Sequence, residues 1–145
     1  MTAHLMTLIF NQNITNTIIP PVDDKDLREF LSLHNFQNPI EIEITPKPLC
    51  KINDCHNNVI KYISKYGGER VIGYYILKEE GKNNFVGVTH SVVKKGEKYI
   101  DITPTTHSEC NNVFIPTNDT ELSVSRFEYY DNHLSYEYYH KQSNP

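Results

Sequence analysis

The 145-residue chain contains no tryptophan and only three cysteines. An odd cysteine count argues against a disulfide framework and for a reducing compartment. Lysine and arginine never run beyond two in a row, and the formal net charge is −4. That excludes the basic surface a nucleic-acid partner requires. No apolar run approaches the roughly 20 residues of a spanning helix, so no membrane partner is expected. The opening MTAHLMTLIF has no basic residue ahead of its short apolar run, which makes it a poor signal peptide. The chain therefore reads as soluble and cytoplasmic.

What is present fits a folded domain. Hydrophobic residues make up 38% and charged residues 22%, a globular balance over a length that suits one core. Residues 5–19 form a weak strand or arm, broken by Pro20-Pro21. Asp23 or Asp24 then caps a helix with Leu27, Phe30, Leu31 and His34 at i, i+3, i+4 and i+7. His34 on that stripe reads as a packed residue. Ile40 to Ile44 alternates as a strand with Glu41 and Glu43 facing out, a solvated face rather than an acid pair. Pro46 and Pro48 end it.

A second helix is expected from Cys55 to Tyr66, with Asp54 as its N-cap and Gly67-Gly68 as its stop. Cys55, Val59, Tyr62, Ile63 and Tyr66 share one face. Cys55 thus falls in the first turn, at the helix end that carries partial positive charge and favours a thiolate. The bland reading is a buried structural cysteine. Glu69 to Glu79 is a strand with little alternation, expected to be covered on both faces. After a turn at residues 81–84, Phe85 starts the strand that carries His90. Val113 to Pro116 is a short strand, and two Tyr-rich strands flank Asp131-Asn132. Clustered tyrosines pack a sheet face or, if exposed, offer a binding surface.

VTHSVVKKGEKYIDITP, Val88 to Pro104, reads as a hairpin. A two-residue loop at Lys95-Gly96, or a four-residue loop from Lys94 to Glu97, sets Val93 opposite Lys98 and His90 opposite Asp101. Opposed residues have Cβ atoms about 4.5–5.5 Å apart, within reach for a carboxylate to hold an imidazole tautomer. A three-residue loop with Gly96 as the bulge would slip the register by one. The turn alone leaves both open. A thiolate on the helix needs a base, and the base an orienting acid. The N–H of Cys55 and the side chain of Asn53 are candidate oxyanion donors.

Asp54-Cys55-His56-Asn57-Asn58-Val59, Thr89-His90-Ser91-Val92-Val93 and Tyr99-Ile100-Asp101-Ile102-Thr103-Pro104 resemble the transglutaminase-like branch of the papain-type cysteine enzymes. The resemblance covers roughly residues 50–105. It implies that Cys55 is the nucleophile, His90 the base and Asp101 its orienting acid. The implied fold is α+β, a papain/transglutaminase-like core with the nucleophile helix packed on an antiparallel β-sheet. One domain spans 1–145: an arm and helix over 1–39, the catalytic core over 40–116 and a Tyr-rich β tail over 117–145.

The implied activity is acyl transfer on amides without a cofactor, with a protein or peptide as partner. Deamidation or transamidation of a Gln side chain and peptide hydrolysis stay open. A small acidic domain of this kind suits a bacterial effector or toxin delivered into a target cell. Two alternatives stand beside it. One is a zinc site drawn from Cys50, Cys55 or His56, His107 and Cys110, whose spacing lacks a C-x₂-C pair. The other is a protein-binding module that uses the Tyr-rich tail and carries a degenerate triad.

Overall fold

The computed structural model describes residues 13–104 and 111–139. Its described residues form an α+β structure, with two helices and a mostly antiparallel eight-stranded sheet. Helix α1 (Lys25–Leu33) begins at Asp24, whose carboxylate accepts the Leu27 N–H at 2.9 Å. That pairs one of the donors a helix start leaves free. The stripe buries Leu27, Phe30 and Leu31. His34 caps the C-terminus and packs between Phe30 and Tyr129, with ring centroids at 5.3 and 5.2 Å.

Helix α2 (Cys55–Tyr66) ends at Gly67, whose φ of 81° is the left-handed conformation glycine accepts. At its start the sequence expectation needs correction. Asp54 holds the N-cap position but bonds the Asn57 side-chain amide at 3.1 Å, and no backbone N–H of the first turn. The cause is its backbone: ψ is 49° at Asp54 against 126° at Asp24. Only the latter has the extended conformation that aims a cap side chain at the helix N–H groups.

The strands are β1 (Thr17–Ile18), β2 (Ile40–Glu43), β3 (Glu69–Glu79), β4 (Phe85–Lys95), β5 (Lys98–Ile100), β6 (Asn111–Pro116), β7 (Val124–Tyr130) and β8 (His133–Tyr138). Their order is β2-β6-β3-β4-β7-β8, with β1 also paired to β3 and β5 to β4. The expected N-terminal strand is thus two residues long within the described chain. The Tyr-rich strands turn at Asp131-Asn132, both with positive φ, as a tight hairpin requires. They extend the sheet through β7 pairing with β4.

One end of the sheet closes on itself. Ile44 pairs in parallel with Asp101, and the Thr45 N–H donates to the Asp101 carbonyl at 2.7 Å. The path β2-β6-β3-β4-β5 therefore returns to β2. A single apolar cluster fills this small barrel with residues from all five strands: Ile42, Phe114, Val71, Tyr75, Val92 and Tyr99. On the outer face α1 packs over Tyr74, Ile76, Phe85 and Phe127, while α2 packs Val59 over Val93 and Ile102. β3 is thus covered on both faces, as its unbroken apolar run implied. Among the described residues, no helix is long and apolar enough to cross a membrane.

Candidate functional site

The β4–β5 turn differs from the expected one. Lys95 pairs with Lys98 and Val93 with Ile100, so the loop is Gly96-Glu97 and the register lies two residues from that expected. Gly96, at φ 59°, takes the first central position, the one a type II′ turn reserves for glycine. His90 is therefore not directly opposite Asp101. A slip of two preserves the face of every side chain, because strand periodicity is two. Asp101 also leaves β5 to pair with Ile44, and the side chains close the remaining gap. His90 Nε2 lies 3.0 Å from Asp101 Oδ2.

Asp101 is fully buried and fully engaged. Its Oδ1 accepts the Thr103 N–H at 3.0 Å, and its Oδ2 accepts the Tyr75 hydroxyl as well as the His90 N–H. Burial alone would raise its pKa; hydrogen bonds from His90, Tyr75 and the Thr103 N–H, with the His90 charge, outweigh it and hold the carboxyl below its ordinary value.

Cys55 reaches this pair through an opening in the sheet. On the outer side of β4, β7 pairs as far as Val88 and β5 begins at Val93. The first turn of α2 meets that unpaired stretch: His56 Nδ1 lies 2.5 Å from Ser91 Oγ, and both His56 and His90 interact with the Cys55 sulfur. Burial pushes the Cys55 thiol up, but hydrogen bonds and charge from His56 and His90 bring it down to about 5. For His90, burial favours the neutral ring, while Asp101 and the Cys55 sulfur raise its pKa to about 9. Between these values thiolate and imidazolium coexist, and with Nε2 held by Asp101 the second ring nitrogen, Nδ1, is left to face the sulfur.

Asn53 sits two residues before Cys55, exposed and at φ 59°, with its backbone N–H donated to the Pro104 carbonyl at 3.1 Å. The loop before α2 is held by Asn58. Its amide nitrogen donates to the Lys51 carbonyl (2.8 Å) and Thr103 Oγ1 (3.2 Å), while its oxygen accepts the Lys51 N–H (3.0 Å). Cys50 packs against the cluster of Val59, Val93 and Ile102, and burial raises its thiol pKa.

Sequence reading missed Tyr75 and Asn58, and took His56 only as a possible zinc ligand rather than a neighbour of the Cys55 sulfur. The signal for Tyr75 was available: pairing β3 with β4 across the turn at 81–84 puts Gly73 opposite His90 and Tyr75 opposite Val88, on the His90 face. The His56–Ser91 and Asn58–Thr103 contacts had none, since each joins residues more than 30 apart. Among the described residues no group of three His, Cys, Asp or Glu side chains is arranged to hold a metal. His107 and Cys110, on which the zinc alternative draws, lie outside the described residues. Compared with protein-family models, curated proteins and solved structures, the chain matches none of them.

Proposed function

We propose that this protein is a cysteine-dependent acyl-transfer enzyme acting on amides, with Cys55 as nucleophile, His90 as general acid and base, and Asp101 as the group that orients His90. The observation that carries the proposal is the convergence of three elements on one point. The first turn of α2 brings the thiol, β4 the imidazole, and the chain after β5 a buried carboxylate 3.0 Å from that imidazole. A nucleophile helix laid on a mostly antiparallel sheet, with the base on β4 and the acid just after β5, also accords with a papain/transglutaminase-like core.

The chemistry follows from the charges. The Cys55 thiolate attacks the amide carbonyl carbon, and the carbonyl electron pair moves onto oxygen. The Cys55 N–H takes that oxyanion, because first-turn N–H groups lack helical partners and the Asp54 side chain leaves them unbonded. Asn53 is the second donor in this proposal. The tetrahedral adduct collapses as the C–N bond breaks, and His90 Nδ1 gives its proton to the departing amine. Water or an amine, losing a proton to His90, then attacks the thioester and returns the Cys55 thiolate. A Gln side chain or a backbone amide of a protein is the substrate class.

The test is chemical and needs no substrate. Iodoacetamide at pH 6 to 7 alkylates Cys55 well before Cys50, whose thiol pKa is raised, as mapped by peptide mass spectrometry. Slow, uniform labelling of the cysteines would remove the thiolate and the proposal with it. Cys55→Ala then serves as the inactive variant for trapping amide-bearing partners.

A further inference from the structure

Tyr75 meets both members of the His90–Asp101 pair. Its ring stacks on the imidazole, with centroids 4.3 Å apart and planes inclined by 28°. Its hydroxyl donates to Asp101 Oδ2, the oxygen that also faces His90 Nε2. The ring is itself fixed from below: Phe114, fully buried in the barrel, meets it edge-on at 5.7 Å. Gly73, directly opposite His90 in the β3–β4 ladder, has no side chain because a Cβ there would run into the Phe114 ring and the Ile115 carbonyl. His90 thus lies on an aromatic floor rather than against a neighbouring aliphatic chain.

We propose that Tyr75 is the positioning residue of this site, clamping imidazole and carboxylate into one plane through its ring face and its hydroxyl. The proposal rests on the thiolate–imidazolium reading above. An aromatic face favours a cation stacked on it, so the ring supports the charged imidazole. The hydroxyl stops the carboxylate rotating away from Nε2, which keeps Nδ1 directed at Cys55. Tyr75 touches no reacting atom of the acyl transfer in this scheme.

The rate of Cys55 alkylation against pH tests it, because this rate follows the thiolate fraction and the imidazole charge rather than overall stability. Wild-type protein shows a low-pH limb set by the thiol and a high-pH limb set by His90. In Tyr75→Leu, which loses both contacts, the low limb rises and the high limb falls, each by about one pH unit, about a fivefold loss of rate at pH 5. Tyr75→Phe keeps the stack and moves both limbs the same way by less. Wild-type limbs in either folded variant, with circular dichroism intact, overturn the role of Tyr75; if the Leu variant does not fold, the Phe variant decides alone. An ordinary thiol limb already in the wild-type protein overturns the thiolate reading, and this role with it, so the two failures are distinct.

Discussion

Two imidazoles flank the Cys55 sulfur, and they do different work. His90 is anchored by Asp101 at 3.0 Å, whereas His56 neighbours the Ser91 hydroxyl at 2.5 Å. His90→Ala removes one cationic neighbour of the sulfur, so the Cys55 alkylation limb moves up from about 5 by at least one pH unit, a loss of rate at pH 5 of about fivefold or more. His56→Ala also raises the limb, since His56 bonds to the sulfur, but it leaves the His90–Asp101 contact and the high-pH limb in place.

The same shifts set a pH dependence of stability. The His90 pKa rises on folding from 6.5 to about 9, so its contribution is complete below 6.5 and lost as pH rises through 9. The Cys55 pKa falls on folding from 9.0 to about 5, so its contribution is complete above 9 and lost as pH falls through 5. Between 6.5 and 9 the two trends oppose and cancel; below 6.5 only the Cys55 loss remains. Urea midpoints from this pair stay level from pH 9 to 6.5 and decline from 6.5 to 5. Cys55→Ala flattens that decline.

At the scale of elements, the site depends on how α2 is tied to the strands. Asn58, one turn into the helix, bonds the loop at Lys51 and the chain after β5 at Thr103. Asn58→Ala removes two bonds to the Lys51 backbone, leaves the buried Thr103 hydroxyl short of a partner and costs about 1–3 kcal/mol, measured by chemical unfolding. Gly73→Ala places a methyl against a carbonyl and a buried ring, an overpacking that costs about 1–3 kcal/mol. It also tilts the floor beneath His90, so its alkylation profile changes along with its unfolding midpoint.

The element scale also shows what could be read in advance. Cys55 at a helix start needed only a 3.6-residue periodicity and a Gly-Gly stop. The hairpin carrying His90 and Asp101 needed only alternation and a glycine. The register was two residues off because Gly96 satisfies either central position of a tight turn, and no local rule chooses between them. The shared face survived because the observed Gly96-Glu97 loop is even in length, like the two- and four-residue loops and unlike the three-residue one.

At the scale of the whole molecule, the sheet carries three apolar clusters among the described residues, one of them under α2 around Val59. Of the other two, one lies under α1 around Phe30 and Phe127 and one fills the barrel around Phe114 and Ile42. The site stands on the barrel cluster. Phe30→Ala and Phe114→Ala each destabilise by about 3–5 kcal/mol, as buried aromatic truncations do. Only Phe114→Ala shifts the Cys55 pH–rate profile, because Phe114 supports Tyr75, whereas Phe30 touches no residue of the site. Equal shifts in both variants would mean that the profile follows global stability instead.

The amino-acid sequence by itself determined the helix over Cys55–Tyr66 and the strands on either side of Gly96, and it allowed His90 and Asp101 a common face that the Gly96-Glu97 turn then fixed. Each follows from interactions within a few residues, where periodicity and turn chemistry govern. Only the tertiary structure decided the rest. Closure of β2 onto the chain after β5 placed Asp101 in a buried, three-donor setting. The gap between β5 and β7 admitted the first turn of α2 to His90, and the β3–β4 ladder brought Tyr75 beneath the imidazole. Those contacts join residues far apart in the chain, and their geometry depends on strand register and sheet curvature, which no local pattern encodes.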